Sequence, residues 1–281
     1  MAETEGNRAH MPKTELRSRI RDLALDLLPP VVSRQVLQHV GLRARERVST
    51  LEELDRWIQR ADAAGATSDD ELRRVLSMFE FVTDTKMPRD PFSKAYQVAQ
   101  KELYAKIAGH RQYRAEEHER TPFDPDAALH LPFPYSTRST ATVGEQLARQ
   151  GLLLRLLRLR PTARVVEFGA GWGNLTLELA KMGLTVTAVD VDPKFGELVS
   201  QRANQLGLAI QIVTSDMLDF RADESFDAAI FFESFHHCSD HLQMLNNLRD
   251  IVKEEGIVAF GSEPIGPLPY PWGLRLDGMS V

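Results

Sequence analysis

Three closely spaced glycines, Gly169, Gly171 and Gly173, follow a short apolar run, and Glu167 stands just ahead of the first. Further on, single acids close apolar runs at Asp190 and Asp216, and Glu233 opens the turn Glu233-Ser-Phe-His-His237. Each residue type has a definite capacity. Glycine lets a backbone take positive φ and come close to a ligand. A carboxylate accepts hydrogen bonds from hydroxyl, amino and ammonium groups. Histidine gains and loses a proton near neutral pH. At the ends of parallel strands these groups would line the crevice where open α/β sheets bind their ligands.

The surrounding pattern supplies such strands. Val165, Val166 and Phe168 make the apolar run of a buried strand, and Leu175, Leu177, Leu179 and Ala180 give a helical face after the glycines, with Asn174 as the expected N-cap. Strands are then predicted over Thr185–Val189, Ala209–Val213, Phe226–Phe232 and Ile257–Phe260. Helices are predicted over Phe195–Leu206, closed by Gly207, and from Asp240 to Lys253, ending at Gly256. Regular alternation of this kind reads as a doubly wound parallel sheet. The strand, glycine turn and helix N-terminus together form a corner suited to an anion or a nucleotide.

The spacing Glu167-x-Gly169-x-Gly171-x-Gly173 resembles motif I of the class I S-adenosylmethionine-dependent methyltransferases. A dinucleotide fingerprint would place its third glycine one position later, where this chain has Asn174, so an NAD-dependent dehydrogenase is disfavoured. The resemblance implies S-adenosyl-L-methionine (SAM) as cofactor, admitted by the three glycines. It implies Glu167 for the methionine ammonium, Asp190 for the ribose hydroxyls and Asp216 for the adenine amino group, with Met217 near the ring. Asp192, before Pro193, is assigned to a helix cap instead.

The paired-histidine turn is similar to one found in small-molecule methyltransferases. It makes His236, His237 and Glu233 the candidates for removing an acceptor proton, alongside a plainer role in holding the turn or positioning the substrate. A metal site from His236, His237, Asp240 and His241 is set aside, because adjacent histidines cannot easily aim at one ion. The expected activity is methyl transfer from SAM to a small molecule. A SAM-binding but inactive interaction module is the alternative.

Composition bounds the remainder. Net charge is −6, with 34 basic and 40 acidic side chains. Residues 1–140 carry 22 of each, so the acidic excess lies in the second half, which disfavours nucleic acid as a partner. A single cysteine, Cys238, and the lack of an apolar leader or a membrane-length apolar run fit a cytoplasmic protein with no membrane partner.

Three regions are expected: a helical domain over 1–119, a proline- and aromatic-rich connector over 120–142, and a SAM-binding domain over 143–281. In the first, helices are predicted from Thr14, over Val31–Val40, from a capping box at Thr50-Leu-Glu-Glu53, from Ser68, and from Asp90-Pro91 to Ala108. In the connector, Phe133 and Tyr135 are candidate pocket aromatics. A helix is expected over Thr142–Leu159. About 21 residues follow the fifth strand, too few for the closing helix and strand pair of the methyltransferase sheet, so the fold is expected to be Rossmann-like α/β lacking its last strands.

Overall fold

The computed structural model describes residues 45–81, 88–90, 92–107, 111–120, 122–131 and 140–263. The expected helices at 14–40, the aromatics Phe133 and Tyr135 and the proline-rich stretch after 263 lie outside the described residues. The chain divides into two compact units, Met1–Thr83 and Asp84–Val281. Residues 84–119, which the sequence groups with the first region, are therefore counted with the second unit.

In the first unit, β1 (Glu46–Val48) leads into α1 (Leu51–Gly65), α2 (Asp69–Leu76) and β2 (Phe79–Phe81). The capping box is present in full. Thr50 Oγ1 accepts from Glu53 N, and the Glu53 carboxylate accepts from the Ser49 and Thr50 amides. Ser68 Oγ likewise accepts from Glu71 N. Leu54, Trp57 and Ala61 form the buried stripe of α1, and Trp57 stacks on Phe79 at 4.9 Å. This unit is not purely helical: β1 and β2 pair in parallel over three residues each. Strands that short carry almost no periodic signal.

The second unit begins with α3 (Lys94–Ile107), followed by the short turns α4 (Ala115–His118) and α5 (Pro125–Ala128) and the long α6 (Thr140–Leu157). The start of α3 corrects the expectation at Asp90. Asp90 Oδ1 accepts from Phe92 N in a local turn, and Ser93 Oγ accepts from Tyr96 N, which places the cap at Ser93. Alternation then proceeds through β3 (Arg164–Phe168), α7 (Asn174–Lys181), β4 (Thr185–Asp190), α8 (Pro193–Leu206), β5 (Ile210–Thr214), β6 (Phe226–Phe232), α9 (His241–Ile251) and β7 (Val252–Gly261). The sheet is five-stranded, ordered β5-β4-β3-β6-β7, and every pairing is parallel.

Side-chain alternation sorts the core into two faces. Val165, Ala228 and Ile230 pack with Leu153 and Leu157 of α6 and with Leu175 and Leu179 of α7. Val166, Phe168, Ala229 and Phe231 pack on the other face with Met244, Leu248 and Ile251 of α9. Glu167 alternates with Val166 and Phe168, which turns it to the α7 side. That position brings it to Thr176.

The long helix α6 spans Thr140–Leu157, not the expected Thr142–Leu159, and two boundaries nearer the site also differ from expectation. Asn174 is not the N-cap of α7; Gly173, at φ +74°, is. Asn174 Oδ1 instead accepts from Arg202, whose buried guanidinium also donates to Trp172 O and to the carbonyls of Ala128, Leu129 and Leu131. A buried cation needs several acceptors, and it recruits this one. At the other end, α9 stops at Ile251 and β7 begins at once, rather than helix continuing to Gly256. Val252 pairs with Phe226 and Ile257 with Ala228, so the ladder slips between them. A Cβ on Gly256 would lie 2.5 Å from Val252 Cγ1 and 2.9 Å from Lys253 O. The glycine serves this irregularity, not a helix end.

Among the described residues, no helix is long and apolar enough to cross a membrane.

Candidate active site

The carboxyl ends of β3, β4, β5 and β6 surround a cavity of about 430 Å³. Its floor is the glycine turn after β3. Gly169, Gly171 and Gly173 all take positive φ, at +67°, +50° and +74°. Gly169 has a second reason to lack a side chain, since a Cβ there would sit 2.5 Å from Ser234 Cβ. Ser234 Oγ donates to Phe168 O at 2.6 Å, so the glycine turn and the turn after β6 are pressed together. Gly173 is equally crowded, with Val199 Cγ2 2.5 Å from the would-be Cβ.

The expected acids all line this cavity. Glu167 is buried, and its Oε2 accepts from the Thr176 hydroxyl. Burial pushes its carboxyl up to about 8, Thr176 offsetting part of this and the nearby Asp190 adding to it. Asp190 accepts from Gly171 N at 2.8 Å and Asp192 N at 2.9 Å, so it braces the glycine turn from β4. Burial pushes it up to about 6, against the pull of those two amides. Asp192 caps α8 through Lys194 N. Asp216 accepts from Leu218 N, and burial raises its carboxyl too. Met217 lies beside it in the cavity wall.

After β6, Phe235–His237 form a single 3-10 turn, with Glu233 strained to φ +54°. His236 Nδ1 lies 2.8 Å from Glu263 Oε2. Glu263 also accepts from the amides of Ser234, Phe235 and His236, and its carboxyl is held below the usual range: His236 and these amides outweigh burial, the largest single cause. His237 Nδ1 lies 2.7 Å from Glu119 Oε2, and Tyr113 donates its hydroxyl to the other oxygen of Glu119. Glu233 is tied to Gln146 Nε2 at 3.0 Å and to Arg149 at 3.3 Å. His241, the remaining histidine of the turn, stacks edge-on against Phe235, and burial lowers its pKa. Among the described residues, no three His, Cys, Asp or Glu side chains gather as a metal would require.

Glu119, Glu263 and Arg202 escape sequence reasoning. Each acts on a segment far away in the chain, and no local pattern marks it. Trp172 and Phe195 are joined by Phe123 of the connector, with ring centroids 4.5–4.9 Å apart. The aromatic richness of the connector was the one available signal for that contact.

The residues present suit a cationic, nucleoside-bearing ligand. Among the described residues only Thr176 donates to Glu167, so a buried carboxylate in the cavity wall retains capacity for a cationic donor. Asp190 and Asp216 each have acceptor capacity beyond the amides that donate to them.

Residues 166–260 match the family model described as "Methyltransferase domain". Curated relatives include a ubiquinone biosynthesis O-methyltransferase of Actinobacillus pleuropneumoniae, 27% identical over 105 residues, covering 35% of this chain and 45% of that protein. A malonyl-[acyl-carrier protein] O-methyltransferase of Pseudescherichia vulneris is 35% identical over 127 residues, covering 44% and 49%. The aligned region thus spans about half the length of these relatives. Among solved structures, a SAM-dependent methyltransferase from Aquifex aeolicus aligns with a TM-score of 0.41 at 23% identity, covering 54% of this chain and 81% of that one. Residues 166–260 thus carry a methyltransferase domain, in agreement with the resemblance to the class I SAM-dependent methyltransferases.

Proposed function

We propose that this protein is an enzyme that transfers a methyl group from SAM to a small-molecule acceptor. The observation that carries this reading is that one cavity gathers the glycine turn, three strand-end acids and the histidine turn. Glu167 would pair with the methionine ammonium, Asp190 would accept from the ribose hydroxyls while bracing Gly171, and Asp216 would accept from the adenine amino group beside Met217. Gly169, Gly171 and Gly173 would let the backbone reach the ligand. SAM, when bound, supplies a methyl group on a sulfonium ready for in-line displacement. The chain's own task is then to hold an acceptor atom in line and exclude alternatives.

His236, His237 and Glu233 stand on the turn that faces this task. Glu233 already accepts from Gln146 Nε2 and pairs with Arg149, contacts that suit it to shaping the wall. A cavity of about 430 Å³ lies in the range of small-molecule sites. Two of the relatives are named as O-methyltransferases, which agrees with an oxygen acceptor.

Calorimetric titration of SAM, and separately of NADH, into the wild-type chain and an Asp190→Ala variant tests the reading. SAM should bind, and the variant should weaken it roughly 10- to 100-fold, the worth of hydrogen bonds to a charged group. NADH binding without SAM binding, or a folded protein that binds neither, would contradict it.

A further inference from the structure

The two adjacent histidines each face a carboxylate, yet the carboxylates are differently engaged. Glu263 distributes its charge over three backbone amides and the His236 ring, so it ties the turn down. Glu119 holds no backbone of that turn: its recorded partners among the described residues are the Tyr113 hydroxyl and the His237 ring. Glu119 is 8% exposed and His237 27%, and both border the cavity.

We propose that Glu119, held by Tyr113, is a positioning residue that fixes His237 with its proton on Nδ1, making Nε2 the base for an acceptor X–H group. The proposal rests on the methyl-transfer reading above. An ionised carboxylate can only accept, so the ring nitrogen 2.7 Å from Glu119 must carry a hydrogen. In the neutral imidazole the lone pair then falls on Nε2. Tyr113 keeps Glu119 from turning away. Burial first, and Glu119 next, push the Tyr113 hydroxyl far above its ordinary value, so it stays a donor.

An X–CH3 bond forms from the acceptor's lone pair, and the S–CH3 bond breaks with its electron pair left on sulfur. The X–H proton passes to Nε2, where the imidazolium is compensated by the Glu119 carboxylate and later loses its proton to water. Glu119 lies outside residues 166–260, so the domain's base is oriented from a preceding segment.

Long-range proton–nitrogen NMR of the histidine-labelled full chain reads the tautomer directly. Wild type should show His237 as the Nδ1–H form with Nε2 unprotonated. In Glu119→Gln, the Tyr113 donor holds the amide oxygen, the amide NH2 turns to Nδ1, and the ring should switch towards the Nε2–H form. Tyr113→Phe, which removes no cavity-lining side chain, should weaken the preference while leaving SAM affinity by calorimetry within about threefold. A wild-type ring already in the Nε2–H form, or a tautomer unmoved in Glu119→Gln, would overturn the proposal. If His237 behaves as expected but no SAM binds, the positioning stands and the methyl-transfer reading fails instead.

Discussion

The glycine turn after β3 and the histidine turn after β6 sit on neighbouring strands and touch through Gly169 and Ser234, yet they are built in opposite ways. The glycine turn is made locally. Its conformation comes from three residues within five positions, and its acids come from its own strand and from the ends of β4 and β5. The histidine turn is made at a distance. Its shape depends on Glu263, and its second ring depends on Glu119, far earlier in the chain. A cofactor corner can be written into one short motif because backbone does most of the holding. A turn proposed to handle a proton needs charged partners, and the fold can bring these from anywhere.

The sharpest way to break this contrast is at the contact itself. Gly169→Ala adds a Cβ at φ +67° and 2.5 Å from Ser234 Cβ. Strain and overlap together should cost roughly 2–5 kcal/mol in urea unfolding, with loss of SAM binding. A tolerated alanine would show that the two turns are not pressed together as described.

Glu263→Ala comes next. It strips the acceptor from three amides and should cost about 2–3 kcal/mol. His237→Ala, on the same turn, should cost less than about 1 kcal/mol of stability. Equal costs would erase the distinction between a ring that is latched and one that is held for use.

The local corner makes a prediction in pH. Glu167, pushed up to about 8 by burial, is mostly protonated at neutral pH without ligand. An ammonium beside it favours the ionised form, so SAM binding at about pH 7 should release up to one proton. Titrations in buffers of different ionisation enthalpy would read this, and Glu167→Gln should abolish it. Glu167 and Asp190 both keep protons longer in the native chain than in the unfolded one. Their contribution is therefore greatest below about pH 4 and falls as pH rises through 6 and 8.

The smallest expected effect concerns Cys238, which is buried with its thiol pushed up to about 12. It should react with a thiol reagent only when the histidine turn opens. Labelling that is slow in wild type and faster in Glu263→Ala would confirm Glu263 as the latch, and equal rates would count against it.

The contrast also explains what could be read from sequence. The places of Glu167, the glycines, Asp190 and Asp216 around the cavity were legible because short apolar runs closed by glycines or acids mark where buried strands end. The five-stranded parallel sheet was legible for the same reason. Asn174 misled because cap propensity is local, while the Arg202 that claims its side chain lies in the next helix. Gly256 misled because a glycine in a ladder irregularity looks like a glycine at a helix end. Glu119 and Glu263 left no trace, since nothing in the neighbourhood of either one points to a histidine elsewhere.

A crystal structure of the full chain with S-adenosylhomocysteine bound would decide whether this cavity is the cofactor site. The ribose should lie on Asp190, the amino-acid end at Glu167, and the sulfur should face the turn that carries His236 and His237. An adenosine bound away from β4 and β5, or a sulfur turned away from that turn, would contradict it.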